Sequence, residues 1–471
     1  MGKWIRRYLY YAYLIVVLGI CMIPLIAIGV KEDRSEKENR TSAWIPSIYG
    51  ENGFNWDFLV EAGNYFEDHF AFRQELVTAD AMIRTKVFGI SPVRDVIAGK
   101  NDWLYYTATL DDFQHNNAVS DRMLFNIAHN VSLMQQYTES LGKKFLFTVA
   151  PNKNSLYGEN MPGRLSYQIT EKSNVERLKP WLELEQVSYV DLFDLFSSQD
   201  EILYYKRDSH WDQKGAVLVY NALLDACDKK HETYYDDMKL VTNDYYGDLN
   251  RMLFPAGGQP EEFTFYMNGN TWEYRQGESV EDTMIVTGCE QGSQNLLMYR
   301  DSFGNSLLPL MAGAFSQAVF SKKVPYTMTD LVTYAPDIVI LEKVERHLKT
   351  LGRIAPIMSA PEVELEDRFT VVNSDTEFSV SKEGSYLKVA GTVDSRYTVV
   401  DSRIFVEIED AAASRAYEAF CVGVGEEDDS NDFGYELYIS EVMVEGDLGG
   451  IKILTETDGE IFLLKEWEND I

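Results

Sequence analysis

The chain has 471 residues, of which 45% are hydrophobic and 13% aromatic. Its length suits two or three domains, and its composition excludes a globally disordered chain. The formal net charge is −32 and the pI is near 4.5. Nucleic acid is therefore a poor partner, because such a surface repels phosphate backbones.

An apolar stretch near the N-terminus predicts a transmembrane helix in residues 1–34. The uncharged run from Tyr8 to Val30 is long enough to cross a bilayer core of about 30 Å. Basic residues precede the run, so the positive-inside rule places the N-terminus in the cytoplasm and the remaining chain outside. A cleaved signal peptide is the alternative. The length of the run and the lack of an A-x-A site favour an uncleaved anchor.

The cysteines do not define a disulfide framework or a zinc site. They are Cys21, Cys227, Cys289 and Cys421. Cys21 lies in the predicted span, so at most one intramolecular disulfide remains for the exported part. There is no CxxC and no cluster of cysteine and histidine, so a structural zinc is not expected. No metal or organic cofactor is predicted.

Residues 35–356 alternate between amphipathic helices and short apolar strands. Helices are predicted at 121–141, 170–186 and 212–230, and strands at 143–151, 187–195, 202–205, 316–322 and 336–346. This order predicts a parallel sheet covered by helices on both faces, with the functional site at the carboxyl ends of the strands. Between about 232 and 294 the pattern stops, which indicates a β-rich insertion.

Residues 357–471 show β-type alternation, with turn signals every 8 to 12 residues. This pattern predicts a C-terminal all-β, sandwich-like domain. The acidic run GEEDDSNDFG at 425–434 is expected to be an exposed loop. A calcium site there is the alternative, although the spacing does not fit an EF-hand.

The segment YYKRDSHWDQKGA at 204–216 places Asp208 two residues before His210. Of the six histidines in the sequence, only His210 combines a predicted strand-end position with an acid two residues away. A histidine base oriented by a carboxylate is what nucleophilic acyl chemistry requires. A helix cap before Asp212 is the alternative.

A candidate nucleophile lies in LLMYRDSFGNS, where Ser302 occupies a predicted turn between a strand and a helix. Such a turn exposes a serine hydroxyl at the top of a sheet, and Gly304 permits tight geometry. The backbone N–H groups at the start of the helix could hold an oxyanion. The alternative is that Asp301 or Ser302 is simply a helix cap.

The segments RDSHW and YRDSFGNSLLP together resemble the SGNH-like domain of the AlgJ/AlgX alginate O-acetyltransferases and their DHHW-type relatives. Other segments agree in order and spacing over roughly residues 40–350; they are GFNWDFLVEAGNYFEDHFAFRQEL, VIAGKNDWLYY, VAPNKNSLYGENMP and APDIVILEKVERHL. The resemblance implies an SGNH-hydrolase-like, flavodoxin-like α/β fold. It also implies that Ser302 is the nucleophile, His210 the general base and Asp208 its orienting acid.

The same resemblance directs attention to residues around the predicted triad. Candidates for oxyanion or substrate contacts are Asn152, Lys153, Tyr299, Arg300 and Asn305. A solvated loop is the alternative for Asn152 and Lys153. Glu345 and Arg346 follow the last strand and could reach the site or form a structural ion pair. Trp211 is expected to pack beneath the loop.

The resemblance implies an extracytoplasmic O-acetyltransferase, held in the membrane by its N-terminal helix and acting on a cell-surface or secreted polysaccharide. The acetyl group would come from a membrane-bound O-acyltransferase partner, because acetyl-CoA is not available outside the cell. A carbohydrate acetyl-esterase with the same triad is one alternative, and a non-catalytic glycan-binding or scaffold protein is another. A carbohydrate is one candidate ligand of the C-terminal β domain, whose ligand is otherwise open.

Overall fold

The computed structural model of the chain describes residues 2–27, 43–50, 53–234, 239–266, 269–365, 368–425, 431–446 and 448–468. Within these ranges an N-terminal helix and a short helical segment precede an α/β sheet and a C-terminal β-rich region. The acidic run at 425–434 falls partly outside the described residues, at 426–430.

The helices vary from one turn to seven, and side-chain caps set several of their starts. They are α1 (Gly2–Ala27), α2 (Phe58–His69), α3 (Arg73–Ile83), α4 (Leu110–Gln114), α5 (Asp121–Ser140), α6 (Lys153–Tyr157), α7 (Asn174–Leu184), α8 (Leu192–Ser197), α9 (Gln213–Ala226), α10 (Asp248–Leu253), α11 (Gly304–Ala314) and α12 (Asp330–Tyr334). Helix α5 begins where Ser120 Oγ accepts the Met123 N–H at 2.9 Å. Helix α9 begins where Asp212 accepts the Gly215 N–H at 2.8 Å.

The strands up to residue 344 form two-stranded ribbons and a central sheet. They are β1 (Tyr49–Gly50), β2 (Gly53–Phe54), β3 (Val96–Ala98), β4 (Leu104–Tyr106), β5 (Lys144–Ala150), β6 (Tyr189–Val190), β7 (Lys239–Tyr245), β8 (Glu261–Tyr266), β9 (Trp272–Gln276), β10 (Met284–Cys289), β11 (Asn295–Tyr299), β12 (Gln317–Ser321) and β13 (Ile338–Val344).

The central sheet confirms the predicted α/β architecture and has the strand order β6-β5-β13-β11-β12-β10-β9. The pairs from β6 to β12 are parallel. In contrast, β10 runs antiparallel to β12, and β9 antiparallel to β10. Strand β13 lies near the centre with every residue buried. Its continuous burial explains its apolar sequence, in which Glu342 and Lys343 stand out.

Helices cover both faces of this sheet. On one face α5, α7 and α12 pack against β5, β11 and β13, while α8, α9 and α11 pack on the other face. Fully burying a leucine, valine or phenylalanine side chain contributes about 1.5–3 kcal/mol. These two apolar layers hold the strand ends in fixed positions, and the candidate site lies at those ends.

One predicted strand is shorter than the sequence pattern suggests, and another is not a strand of the sheet. Only Tyr189–Val190 of the segment 187–195 pairs with the sheet, because Asp191 caps α8 by accepting the N–H groups of the next turn. The segment 202–205 is not a sheet strand. It forms a single bridge between Tyr204 and Trp211, so the loop that contains Asp208 and His210 folds back on itself.

Part of the segment 232–294, which the sequence analysis takes as an insertion, belongs to the central sheet. Strands β9 and β10 form the antiparallel side of the central sheet. The β7–β8 hairpin and α10 precede them, separate from that sheet. The turn between β7 and α10 contributes to the candidate site.

The structure contradicts the predicted transmembrane helix. Among the residues that the structure describes, no helix meets the length and apolarity needed to cross a membrane. Helix α1 contains Tyr8, Tyr10, Tyr11 and Tyr13 in its first half, and the polar hydroxyls of these side chains lower the apolarity of the segment.

The C-terminal β-rich region consists of a six-stranded and a four-stranded sheet around a shared core. Its strands are β14 (Glu362–Val363), β15 (Thr370–Val371), β16 (Glu377–Glu383), β17 (Tyr386–Thr392), β18 (Arg403–Glu409), β19 (Ser414–Glu418), β20 (Phe420–Val424), β21 (Asn431–Ser440), β22 (Gly450–Thr457) and β23 (Glu460–Glu468). The side chains of Tyr386, Phe420 and Tyr438 join the core under α5. The three cysteines of the described globular part are buried and free; they are Cys227, Cys289 and Cys421.

Helix α5 joins the two regions through buried hydrogen bonds. The Asn130 amide donates to Leu351 O at 3.0 Å and to Cys421 O at 2.8 Å, and its oxygen accepts the Cys421 N–H at 3.0 Å. Arg122 donates to the carbonyls of Val400 and Ser402. The β region is therefore fixed against the α/β sheet.

We expect Asn130→Ala to destabilise the protein by about 2–4 kcal/mol, because it leaves buried backbone groups without partners. Chemical denaturation checks this value. The control is Asn116→Ala, at an exposed asparagine, which should change the free energy of unfolding by less than about 0.5 kcal/mol. Equal effects of the two substitutions would contradict the role given to Asn130.

Candidate active site

The turn between β11 and α11 presents Ser302. Asp301 accepts the Phe303 N–H at 3.0 Å and so shapes this turn. A Cβ atom on Gly304 would lie 2.6 Å from Arg300 Cδ, so only glycine allows the helix to begin this close to the strand end. The Ser302 N–H has no acceptor among the described residues.

The loop between Tyr204 and Trp211 brings His210 to this serine. His210 Nε2 lies 2.9 Å from Ser302 Oγ. On the other side of the ring, Nδ1 lies 2.7 Å from Asp208 Oδ1. Serine, imidazole and carboxylate thus form one hydrogen-bonded chain, in the geometry that a nucleophile, its base and an orienting acid require.

The Asp208 carboxylate is buried and accepts four hydrogen bonds. Besides Nδ1, its Oδ1 accepts the His210 N–H at 2.9 Å. Its Oδ2 accepts the Tyr245 hydroxyl at 2.7 Å and the Asp248 N–H at 2.9 Å. A Cβ atom on Gly247 would lie 2.6 Å from Asp208 Cβ, so glycine lets this backbone approach closely.

A second carboxylate lies beside the imidazole and faces the cleft. Asp248 accepts the Ser209 N–H at 2.8 Å and the Ser209 hydroxyl at 2.5 Å. Asp248 Oδ2 also lies 3.8 Å from His210 Nδ1. The sequence analysis missed Tyr245 and Asp248 because they lie in the presumed insertion. The glycine between them was the one available signal of a close approach.

These contacts set the charges of the pair. Burial alone would raise the pKa of Asp208, but the hydrogen bond and charge of His210 outweigh it and hold the pKa well below its usual range. Burial opposes a charged imidazole, yet Asp208 raises the pKa of His210 above its ordinary value, and Asp248 adds to this effect. Burial, then the nearby Asp208, raises the pKa of Asp248.

Asp208, His210 and Asp248 offer metal-ligand atoms within 4.8 Å of one another. However, both oxygens of Asp208 already accept two hydrogen bonds each. A cation would have to displace these donors, so the residues fit a hydrogen-bonded acid–base pair better than a metal site.

Two of the five predicted contact residues lie beneath the loops. Buried Lys153 donates to the carbonyls of Tyr205, Lys206 and Asp208 at 3.2, 3.0 and 2.5 Å, and burial lowers its pKa to about 8. It supports the loop that carries the acid. The side chain of Asn152 is buried and donates to Asp112 at 2.9 Å.

The other predicted contact residues flank the nucleophile turn. Tyr299 is buried and donates its hydroxyl to Thr327 O at 2.8 Å. Arg300 is also buried and donates to Val280 O and to Asn305 Oδ1. Asn305 alone among the five predicted contact residues lines the cleft beside Ser302.

Aromatic rings pack against His210 and beneath the turn that carries Ser302. Phe303 contacts the His210 ring edge-on, with centroids 4.7 Å apart, and Trp211 packs on Phe303 at 4.8 Å. Trp211 also donates its indole N–H to Ser306 Oγ at 2.6 Å. Trp211 thus links the two loops, in keeping with the packing role expected for it.

Ser302 and His210 open into a cleft of about 1320 Å³. Its walls combine apolar, aromatic and charged side chains, among them Val77, Val93, Tyr106, Tyr246, Met252, Phe254, Asp95, Arg251, Glu281 and Arg346. The Arg346 guanidinium lies 5.7 Å from the Tyr106 ring and 5.8 Å from the Phe303 ring. No carboxylate forms an ion pair with Arg346 among the described residues.

The α/β sheet brings serine, histidine and aspartate into one hydrogen-bonded chain at its carboxyl edge, an arrangement that occurs on several unrelated folds. Residues 96–277 match the family model of the SGNH hydrolase-like domain of acetyltransferase AlgX. The resemblance predicted from the sequence is thereby confirmed. The matched segment includes Asp208 and His210 and ends before Ser302. Comparison with curated proteins gives no match.

Several solved structures are similar to this chain. Bacillus cereus PatB1 with a sulfonyl adduct is 13% identical, over 54% of this chain and 95% of that chain, with a TM-score of 0.43. The O-acetyltransferase domain of Pseudomonas putida AlgJ is 15% identical, over 54% and 92%, with a TM-score of 0.37. Pseudomonas aeruginosa AlgX is 14% identical, over 73% and 85%, with a TM-score of 0.35.

The charges around His210 can be tested by NMR titration of its ring protons. Asp208→Asn keeps a similar shape but removes the charge, so we expect a lower pKa for His210. Asp248→Asn should lower it less, because that carboxylate lies farther from Nδ1. The other histidines provide an internal reference. An unchanged His210 titration in both variants would contradict this electrostatic arrangement.

Proposed function

We propose that the protein is an O-acyltransferase that moves acetyl groups to hydroxyls of a polysaccharide through an acyl-enzyme on Ser302. The observation that carries the proposal is the hydrogen-bonded chain from Asp208 through His210 to Ser302, at the floor of an open cleft. The match of residues 96–277 to an acetyltransferase family supports the reaction class.

In the first half-reaction His210 Nε2 takes the proton of Ser302 as Oγ attacks the carbonyl carbon of an acetyl ester. The raised pKa of His210 suits it to hold this proton, and Asp208 stabilises the imidazolium that forms. His210 then returns the proton to the departing alkoxide of the donor. The acetyl group remains on Ser302 as an ester.

In the second half-reaction a sugar hydroxyl enters the cleft. His210 removes its proton while the oxygen attacks the acetyl carbonyl, and the proton returns to Ser302 as its ester bond breaks. The Ser302 N–H is free to hold the oxyanion in both steps. The Arg346 charge, unpaired among the described residues, faces the same cleft.

The size of the cleft supports a polymeric acceptor. Its volume of about 1320 Å³ exceeds the roughly 300–1,000 Å³ of typical small-molecule pockets. Tyr106 and Tyr246 offer ring faces, and carboxylates such as Asp95 and Glu281 can accept hydrogen bonds from sugar hydroxyls. We further propose that the enzyme acts outside the cytoplasm, with acetyl groups supplied by a membrane-bound O-acyltransferase.

The purified protein should transfer acetyl from 4-nitrophenyl acetate to an oligosaccharide, as detected by mass spectrometry of the sugar. Ser302→Ala should reduce this transfer by at least ~10³-fold, since it removes the nucleophile. The matched control is Ser316→Ala, directly before β12 and outside the cleft, which should remain active.

The products separate the alternatives. Acetylated sugar that depends on Ser302 supports the transferase. Free acetate alone, across a panel of oligosaccharides, would overturn it in favour of an esterase with the same triad. Full biological activity of Ser302→Ala would overturn both and indicate a glycan-binding or scaffold role.

A further inference from the structure

The nucleophile turn rests on a carboxyl group that the reaction above does not use. Glu342 lies in β13, fully buried, between β5 and β11. Its Oε2 accepts the Asp301 N–H at 3.0 Å. Its Oε1 has no hydrogen-bond partner among the described residues. A buried ionised carboxylate with one bare oxygen is very costly, whereas a carboxylic acid can donate from that oxygen.

The Asp301 side chain is within hydrogen-bonding reach of the Glu342 carboxyl group, so it can accept that proton. Its Oδ1 accepts the Phe303 N–H at 3.0 Å, on the far side of Ser302. Its Oδ2 accepts the Val344 N–H at 2.6 Å, at the end of β13. Two backbone donors suit an ionised carboxylate. Asp301 therefore ties the turn that carries Ser302 to the same strand that carries Glu342.

The surroundings of Glu342 favour its neutral form. Burial, then the charge of Asp301, raises the pKa of Glu342 well above its ordinary value, although Arg300 acts in the opposite direction. The other titratable groups that face it are Lys343, whose cation acts in the same direction as Arg300, and Tyr326 and Tyr204. The pKa values of both tyrosines are raised by burial, so these side chains bring no charge.

We propose that Glu342 is a neutral carboxylic acid that shares its proton with the Asp301 carboxylate and, through Asp301, positions Ser302. Glu342 touches neither substrate nor reacting atoms, so it is a positioning residue. Its effect on Ser302 rests on the function proposed above. Its protonation does not, and can be tested separately.

The first test measures unfolding against pH for the native protein and Glu342→Gln. The folded state keeps the proton of Glu342 above pH 5, while the unfolded chain releases it near its ordinary pKa of about 4.3. Native stability therefore falls as pH rises, by up to about tenfold in the unfolding constant per pH unit. The glutamine amide cannot ionise, so the variant should gain stability relative to the native protein between pH 5 and 8.

The comparison of the two proteins cancels the titration of the groups that do not interact with Glu342. A stability difference that stays constant from pH 5 to 8 would overturn the neutral form of Glu342. A growing difference would support it, whether or not the protein has any acyltransferase activity.

The second test measures the rate at which a sulfonyl fluoride labels Ser302, by mass spectrometry. The amide introduced by Glu342→Gln offers the same oxygen to the Asp301 N–H and an N–H to the Asp301 carboxylate, so this variant should label within about threefold of native. Glu342→Ala removes both contacts and should label more than ~10-fold more slowly, because small shifts of a nucleophile have large effects. The matched control is Glu418→Ala, at another buried strand carboxylate, which lies in β19 outside the cleft and should label at the native rate.

Equal labelling of the glutamine and alanine variants would overturn the positioning role. If Glu342→Ala does not fold, Asp301→Asn replaces it, because the amide has one acceptor oxygen for the Phe303 and Val344 N–H groups; native labelling of that variant would likewise overturn the role. Absence of labelling in the native protein would instead count against Ser302 as a nucleophile, and leaves the pH test of Glu342 intact.

Discussion

The candidate site depends on the burial of one carboxylate. A charged Asp208 away from water is tolerable only if every lone pair finds a donor. Its donors come from its own loop and from Tyr245 and Asp248, nearly forty residues farther along the chain. Lys153 binds the carbonyls of the same loop from beneath. Three separate segments must therefore converge before the imidazole has a fixed direction.

The acid side of the site, at Asp208, and the nucleophile side, at Ser302, are stabilised in different ways. On the acid side, donors surround Asp208 and keep its pKa low, so the negative charge persists next to His210. On the nucleophile side, Asp301 accepts hydrogen bonds from two backbone N–H groups, and the buried Glu342 accepts the N–H of Asp301. Asp208 and Asp301 both accept hydrogen bonds from backbone N–H groups, and among the described residues neither forms an ion pair with a lysine or an arginine. Backbone donors are held by the fold, so they fix geometry with little loss of side-chain entropy.

The sequence predicted the parts of the fold that bury continuous apolar surface. Strands β5 and β13 and helices α5 and α9 lie within the predicted segments. Continuous apolar runs in strands and a 3.6-residue apolar periodicity in helices both follow directly from burial. The turn at Ser302 and the pair Asp208–His210 could also be located, since local spacing marks them. The segment 202–205 could not be told from a strand, because four apolar residues look alike in a strand and in a bridge.

The remaining site residues are set by tertiary contacts that leave no local pattern. A position after a strand places Asn152 and Lys153 at the correct sheet edge, but it does not say whether their side chains point into the cleft or under the loop. Tyr245 ends β7 and Asp248 begins α10, both outside the central sheet. Their hydrogen bonds to Asp208, and the close approach of Gly247 that allows them, show why they belong to the site. Glu342 looks like an interruption in an apolar strand. Its proposed positioning role follows from the hydrogen bond of 3.0 Å between its Oε2 and the Asp301 N–H.

The C-terminal β region contributes to this arrangement from a distance. Among the residues that the structure describes, none of those that line the cleft comes from beyond residue 346. Nevertheless, Asn130 of α5 bonds both Cys421 in β20 and Leu351 in the 3₁₀ segment Glu345–Gly352. That segment begins directly after β13 and carries Arg346 into the cleft. The β region thus fixes the far end of the segment that presents this arginine, and its packing against α5 supports the wall of the site as well as the stability of the chain.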